Sequence, residues 1–282
     1  MTATLITVAP TGAELAKADV PQLPTTLEEL VETAVRCEQA GAAMIHLHIR
    51  GADHAPTLDG GLLRASVDAI RAETDLIVQL STGGSVHDPL EQRLTILDAE
   101  PDSCSLTCGT TNFGEDVFLN PHGFMSDLYV LAQEREVVPE FELFELGHVA
   151  ALARLIDAHG LPFGGKVHVD FVTGVPGAMP GTTAALIAGV AMLPPEVTSW
   201  SATGIGRSHL PVMAAALSAG GHLRVGMEDN IMYARGRQVQ HNDELVARAA
   251  ELATLIQRPP MSTGDARDLL GVKDRRPHTF PK

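Results

Sequence analysis

The chain has 282 residues of ordinary globular composition, with 45% hydrophobic and 20% charged residues and a formal net charge of −15. An acidic surface repels nucleic acid phosphates and anionic lipid headgroups, which excludes both as general partners. Its 3 cysteines are too few for a disulfide framework, and no stretch approaches the roughly 20 apolar residues that span a bilayer, so we expect a cytoplasmic protein without a membrane anchor.

Short apolar runs rich in β-formers alternate with longer segments of helical period, about eight times along the chain. Strands are predicted at 3–9, 43–49, 75–81, 102–107, 137–142, 164–170, 197–202 and 222–227. Helices are predicted at 26–40, 59–73, 88–99, 145–159, 181–192, 208–219 and 241–257.

Eight βα units predict a single (β/α)8 TIM barrel over residues 1–282, with a short helical extension at 258–282. Glycine and proline are spread along the chain instead of forming a linker, which favours one domain. An open doubly wound sheet is the alternative. The turn after the first strand reads APTGAE, however, and lacks the GxGxxG of dinucleotide-binding sheets.

The second predicted strand carries His46 and His48, whose side chains leave the same face because they are two residues apart. In a barrel that face points inward, near the C-terminal mouth where active sites of this fold lie. Two imidazoles on a rigid strand suit zinc, but a pair of buried, hydrogen-bonded histidines fits the pattern equally well.

Hydroxyl groups and glycines follow the third strand. The turn consists of Ser81, Thr82, Gly83 and Gly84. Its hydroxyls and backbone N–H groups suit a carboxylate or an oxyanion, although a plain tight turn explains the sequence nearly as well. Ser105 and Thr107 on the fourth strand, and Glu14 after the first, are predicted at the same rim.

Two later strands carry weaker signals. His168 and Asp170 alternate on the sixth strand and are interpreted as supporting or core polar residues, in preference to a second metal site. After the seventh strand, Gly206 and Arg207 precede a helix that begins near Ser208, which suits a phosphate group; a glycine-rich turn is the alternative.

The eighth strand ends in RVGMEDN, which places Glu228 and Asp229 at the mouth. Alone, this acidic pair would cap a turn. Together with the two histidines, Glu228 completes a set of three ligands that leaves one metal position open, as catalytic zinc sites do. Arg224 lies four residues earlier and needs a carboxylate partner, either a protein residue such as Asp229 or the substrate.

Several motifs occur together in an order and spacing that resemble one enzyme family. They are TGAE at 11–14, the run from PTTLEEL to IHLHIR at 24–50, QLSTGG at 79–84, SLTCGTTNFG at 105–114 and GGHLRVGMEDN at 220–230. From about residue 5 to about residue 272, the chain resembles the β-keto acid cleavage enzymes, the family that includes 3-keto-5-aminohexanoate cleavage enzyme.

This resemblance implies a (β/α)8 barrel that forms an oligomer, often a homotetramer, with zinc held by His46, His48 and Glu228. It implies a reaction in which a β-keto acid condenses with the co-substrate acetyl-CoA. The adduct then breaks into acetoacetate and a new acyl-CoA ester.

The resemblance also implies roles for residues at the mouth. The substrate's keto and carboxylate oxygens meet the zinc and the turn at 81–84, with Ser105 also in contact. Arg224 and Asp229 together remove the C2 proton. Because arginine is normally protonated, Arg224 acts as a base only if Asp229 takes up its proton. Gly206 and Arg207 become candidates for binding CoA.

Glu14 bears on the choice of substrate. A carboxylate at the rim suits a cationic group at the substrate's far end, which would favour an amino-β-keto acid. Lys17 is close enough in sequence to neutralise Glu14 instead.

Two other classes remain as alternatives. Metal-dependent amidohydrolases resemble this chain only in the HxH pair, which in that class typically lies on the first strand, with further histidines on strands five and six. A barrel that binds a metabolite without catalysis would have to bury Arg224 and Asp229 without using them, which is costly.

Overall fold

The computed structural model of the protein describes residues 3–276. Eight parallel strands close into a barrel, because the last strand pairs with the first. The barrel strands are β1 (Ile6–Val8), β2 (Met44–Leu47), β3 (Ile77–Leu80), β4 (Ser103–Thr107), β5 (Val138–Leu143), β6 (Val167–Thr173), β7 (Val197–Gly204) and β8 (His222–Val225). All eight predicted strands are confirmed, and the closure excludes the open doubly wound sheet.

Helices surround the barrel. They are α1 (Leu27–Gln39), α2 (Gly60–Glu73), α3 (Leu90–Leu94), α4 (His122–Glu134), α5 (Leu146–His159), α6 (Thr183–Ala191), α7 (His209–Ser218), α8 (Asn242–Leu255) and α9 (Thr263–Leu270). The helix predicted at 88–99 is a short α3 followed by a 3-10 turn, Thr95–Ala99. No described helix is long and apolar enough to cross a membrane.

The sequence prediction missed α4, although its buried residues Phe124, Leu128 and Ala132 have the spacing of four that marks a helix face. It also missed two short antiparallel hairpins in the loops after β4 and β8. They pair Thr111–Phe113 with Asp116–Phe118, and Met232–Ala234 with Arg237–Gln238.

Local sequence signals position the first helix. Thr26 caps α1 by accepting a hydrogen bond from the Glu29 N–H at 3.2 Å, and the Glu29 carboxylate accepts one from the Thr26 N–H. This reciprocal capping box satisfies two N–H groups that a helix start would otherwise leave free. Leu30 and Ala34 then face the core.

The N-terminal end of the barrel is closed by an apolar cluster, which we call the floor. Its barrel residues are Leu5, Met44, Ile77 and Val138, and α9 covers them with Ala266 and Leu270. The predicted C-terminal helix is therefore present and seals the barrel. The last part of the predicted extension, residues 277–282, lies outside the described residues.

Above the floor the inward face of the strands is polar. It carries, among others, Gln79, Ser103, Glu140, His168 and Arg224, all buried. The outward face of the same strands is apolar and packs against the helices. The barrel interior is thus a stack of polar groups that leads up to the C-terminal mouth.

Candidate active site

His46, His48 and Glu228 meet at the C-terminal mouth. The Nε2 atoms of His46 and His48 lie 3.8 Å and 3.5 Å from Glu228 Oε1. One ligand atom from each of the three residues lies within 4.8 Å of the others, and no second such group occurs among the described residues 3–276. The grouping predicted from the sequence is therefore present in the fold.

Close packing of backbone brings Glu228 to the histidines. Strand β8 ends at Val225, earlier than predicted, and Gly226 turns the chain with a φ of +155°. A Cβ on Gly226 would overlap the carbonyl of Ala9, and a Cβ on Gly12 would lie 2.6 Å from Glu228 Cγ. Glycine at these two positions lets the loops after β8 and β1 approach each other.

The three side chains fit a divalent metal. Glu228 Oε2 is buried and has no hydrogen-bond partner among the described residues, so it is free to act as a ligand. Burial, aided by Arg224, lowers the pKa of His46 to about 3, which keeps this imidazole neutral, as a ligand must be. His46 Nδ1 lies 2.5 Å from Gln79 Oε1, so Nε2 is left to face Glu228.

Arg224 forms the centre of an ion-pair network beside these ligands. It donates to both carboxylate oxygens of Asp229 at 3.1 Å, to Glu142 at 3.1 Å and to Glu228 at 2.5 Å. Burial alone would lower the pKa of Arg224, but the surrounding carboxylates outweigh it and raise that pKa well above its ordinary value. The guanidinium is therefore permanently charged.

Asp229 has an altered proton affinity in this network. Burial raises its pKa to about 7, against the opposing effect of Arg224. A carboxylate of this kind is a stronger base than an exposed one and is still partly ionised near neutral pH.

A cavity of about 470 Å³ opens above the network. Ser81, Gly83 and Gly84 line it, as does Glu14. The Ser81 hydroxyl accepts the Gly83 N–H at 3.2 Å, and no acceptor for its own hydrogen is present among the described residues. This turn therefore presents a free hydroxyl donor beside the metal-ligand group.

Five other predicted site residues do not line the cavity: Thr82, Ser105, Thr107, Gly206 and Arg207. Thr82 donates to the Ser105 carbonyl at 2.6 Å, and Thr107 donates to Glu142 at 2.8 Å. Thr107 thus supports the cavity-lining Glu142, while Thr82 and Ser105 join the turn at 81–84 to β4. Arg207 is exposed beyond the rim. Direct substrate or CoA contact by these five residues stays a prediction.

Glu14 is not neutralised by Lys17, because Lys17 pairs with Glu29 at 2.7 Å. Its loop is held by the buried Arg50, which donates to the carbonyls of Gly12 and Leu15 at 2.6–3.1 Å. Glu14 therefore lies at the cavity rim on a fixed loop and is not paired with Lys17.

His168 and Asp170 lie inside the barrel and not in the cavity lining. His168 Nδ1 lies 2.7 Å from Ser199 Oγ, and Asp170 accepts hydrogen bonds from Ser201 and Thr203 at 2.7 Å and 2.6 Å. Both are therefore core polar residues, as the sequence interpretation preferred.

Sequence reasoning missed Glu142 and the apolar wall of the cavity. Glu140 and Glu142 alternate in the predicted fifth strand, so the period-two argument applied to the histidines would have placed both inside the barrel. The wall consists of Phe113, Phe118, Phe144, Val172, Val175 and Ile205. Most of it comes from loops, for which the sequence offered no comparable signal.

Arg93 fixes this wall to the turn at 81–84. It donates to the Thr82 carbonyl at 2.7 Å and to Asn120 Oδ1 at 2.6 Å, and its guanidinium stacks over the rings of Phe118 and Phe124. Arg93 therefore holds the hairpin after β4 against the turn at 81–84.

The sequence is similar to known enzymes along almost its whole length. Residues 3–272 match the profile of the beta-keto acid cleavage enzyme family. The chain is 36% identical over 270 residues to the 3-keto-5-aminohexanoate cleavage enzyme of Acetoanaerobium sticklandii, covering 95% of this chain and 98% of that protein. It is 33% identical over 272 residues to the 3-oxoadipate:acetyl-CoA acetyltransferase of Cupriavidus necator, covering 95% and 94%.

Solved structures share the fold. A binary complex of ObcA with oxaloacetate superposes with a TM-score of 0.77 at 21% identity, covering 89% of this chain and 68% of that chain. This likeness extends the agreement from sequence to three-dimensional architecture.

Proposed function

This chain belongs to the β-keto acid cleavage enzyme family, and from that membership we propose that it converts a β-keto acid and acetyl-CoA into acetoacetate and a new acyl-CoA ester. One observation carries the proposal. The group formed by His46, His48 and Glu228 lies directly beside the Arg224–Asp229 ion pair in a single cavity.

The metal proposed for this group is zinc, because two neutral imidazoles and one carboxylate with an open position are a usual donor set for catalytic zinc. When bound, zinc supplies a Lewis acid for the negative charge that develops on the keto oxygen. The unpartnered Glu228 Oε2 and the neutral His46 support this assignment.

Asp229 is proposed to accept the C2 proton. Arg224 stays protonated, so its part is to hold the Asp229 carboxylate through two hydrogen bonds and to offset the local negative charge. This assignment gives Asp229 the larger part of a role that the sequence analysis divided between the two residues.

The turn at 81–84 is proposed to bind the substrate carboxylate. Ser81 offers a free hydroxyl donor, and Gly84 contributes a backbone N–H that no described residue accepts. Thr82, Ser105 and Thr107 complete the support of this turn and of Glu142. The turn and the metal group therefore lie on adjacent strands, suited to the two ends of a β-keto acid.

The substrate's tail is proposed to carry an amine, as in 3-keto-5-aminohexanoate or a related amino-keto acid. The cavity rim holds Glu14, Glu115 and Asp116, whereas among residues 3–276 Arg224 is the one Arg or Lys that lines the cavity, and the network already occupies it. A second carboxylate on the tail would meet no cation. A β-keto acid whose tail is cationic fits the local charge best.

CoA is proposed to enter over the loop after β7. Gly206 and the exposed Arg207 lie near the start of α7 and would meet the anionic part of CoA, which the acidic surface elsewhere repels. We further propose a cytoplasmic homotetramer, since α6 exposes Ile187 and carries no charged residue along the helix.

Incubating zinc-loaded protein with acetyl-CoA and a panel of β-keto acids tests the reaction. The panel contains amino, neutral and carboxylate-bearing tails, and acetoacetate is followed by mass spectrometry. We expect the β-keto acid with the amino tail to form acetoacetate at the highest rate. Turnover of an amide or lactone, with no acetoacetate from any keto acid, would replace the proposal with the amidohydrolase alternative.

Metal analysis of His46→Ala is a simpler test. We expect it to lose zinc while the control His87→Ala, at an exposed position outside the group, retains one zinc per chain. Undiminished zinc in His46→Ala would contradict the ligand assignment. The amidohydrolase alternative has no structural support, because His168 on the sixth strand does not join the metal-ligand group.

A further inference from the structure

A buried chain of hydrogen bonds runs from His46 down into the barrel. His46 Nδ1 lies 2.5 Å from Gln79 Oε1, and Gln79 Nε2 donates to Ser103 Oγ at 3.1 Å. The Gln79 side chain also acts on the Glu140 carboxyl group, whose pKa it lowers, so these two side chains are neighbours in the barrel interior. Gln79, Ser103 and Glu140 are each at most 3% exposed, so no bulk water competes for these contacts.

The chain continues to a second, unpartnered pair. Glu140 Oε2 and His168 Nε2 lie 3.5 Å apart, and neither atom has a hydrogen-bond partner in the described part of the chain, residues 3–276. The other nitrogen of His168 is 2.7 Å from Ser199 Oγ. A proton on Glu140 Oε2 would satisfy both orphan atoms, because the carboxylic acid would then donate to the neutral imidazole.

Burial favours this neutral arrangement. It raises the pKa of Glu140 to about 8 and lowers the pKa of His168 to about 3, so both groups are uncharged at neutral pH. The remaining oxygen of the neutral Glu140 is then an acceptor directed at Gln79.

We propose that Gln79 is a positioning residue for the metal ligand His46, and that Glu140 and Ser103 fix the orientation of its amide. Ser103 Oγ accepts from Nε2, and Glu140 is the neighbouring acceptor that favours the same orientation, so Oε1 faces His46 and accepts from Nδ1–H. Only that tautomer leaves the His46 Nε2 lone pair free at the mouth. A reversed amide would place the proton on Nε2 and block ligation.

The inference rests on the proposed metal site, and metal affinity tests it without relying on turnover. We expect Gln79→Met to bind zinc 10- to 100-fold more weakly than wild type in competition with a chromophoric chelator. This is the usual loss of affinity when the group that hydrogen-bonds a metal-ligating histidine is removed. The control is Thr7→Val, since the buried Thr7 Oγ1 has no partner to lose.

A pair of variants at Glu140 separates positioning from a general effect on the barrel. Glu140→Gln copies the protonated carboxyl group, with one donor for His168 and one acceptor for Gln79, so zinc affinity should stay within threefold of wild type. Glu140→Met removes the acceptor and should weaken zinc binding about tenfold. The visible spectrum of cobalt-loaded protein should change in the Met variant and not in the Gln variant.

The outcomes are distinct. Wild-type protein that binds no zinc would overturn the proposed function itself. Wild-type protein that binds zinc, together with folded Gln79→Met of equal affinity, would overturn the positioning role alone. If Gln79→Met does not fold, the Glu140 pair decides: equal zinc affinity in the Gln and Met variants would contradict the inference.

Discussion

The floor and the mouth of the barrel are built on the same strands, but the floor contains apolar side chains and the mouth contains charged and polar ones. On β2, Met44 belongs to the floor, whereas His46, two residues further along the strand, belongs to the metal-ligand group. The floor buries apolar side chains, which stabilises the fold. The mouth instead gathers six polar or charged groups, the Arg224 network with Glu142, Glu228 and Asp229 and the two histidines, and their desolvation costs free energy that only mutual pairing offsets. Separation along each strand lets one end carry stability and the other carry chemistry.

Asp229→Asn should produce the largest effect, and only at the mouth. It removes the proposed proton acceptor while keeping the shape of the side chain, so acetoacetate formation should fall by roughly 10²- to 10⁴-fold. The unfolding free energy should also fall, because Arg224 loses one buried carboxylate partner although Glu142 and Glu228 still face it, so turnover is compared per folded molecule. Steady-state kinetics and urea unfolding measure the two quantities. Wild-type turnover would remove Asp229 from the mechanism.

Leu270→Ala should have the opposite profile. Leu270 is 3% exposed in the floor, and a truncation there leaves a cavity that costs about 2–5 kcal/mol of unfolding free energy. Turnover per folded molecule should not change. Leu255→Ala is the matched control, because Leu255 is 77% exposed and should unfold like wild type. A loss of turnover in folded Leu270→Ala would show that floor and mouth are coupled.

Glu140→Gln tests the boundary between the two regions through pH. Burial raises the pKa of Glu140 in the folded protein from its ordinary value of 4.5 to about 8. The contribution of this group to stability is therefore greatest below about pH 4.5. Wild-type stability should then fall as pH rises toward 8, by at most about 1.4 kcal/mol per pH unit. The variant cannot ionise.

Urea unfolding at several pH values, with zinc at one saturating level, gives the difference between the two proteins. The advantage of the Gln variant should grow from pH 4.5 to about pH 8 and then level off. A difference that is constant over this range would mean that Glu140 is not protonated in the fold.

Thr26→Ala should have the smallest effect and shows that the mouth side also contains purely structural groups. The substitution removes the hydroxyl of the α1 capping box and should cost about 1 kcal/mol of unfolding free energy. Turnover should remain at the wild-type level. A large loss of turnover would indicate that α1 helps to set the position of the Glu14 loop.

Much of the fold could be predicted because the signals are local. The alternation of apolar runs located all eight strands, and Thr26 with Glu29 marked the start of α1. The helix α4 was missed despite a clear apolar spacing, so that error lay in the interpretation. The hairpin at 111–118 carried no such signal, because its stability comes from contacts such as Arg93 on Phe118.

The candidate site was predictable in part for the same reason. His46 and His48 share a face through the period of a single strand. Glu142 was missed, since its importance depends on Arg224, 82 residues away and on a different strand. The proposed roles of Gln79 and Glu140 likewise depend on the groups that face them inside the barrel.

The sequence by itself determined the order of strands and helices, the inward histidine pair and the acidic loop after β8, because period and capping act over a few residues. Tertiary structure decided which charges share a partner, which hydroxyls support the cavity instead of lining it, and which buried carboxyl groups keep a proton. Those outcomes depend on burial and on distances between strands that are far apart in the chain, and both are fixed only when the barrel closes.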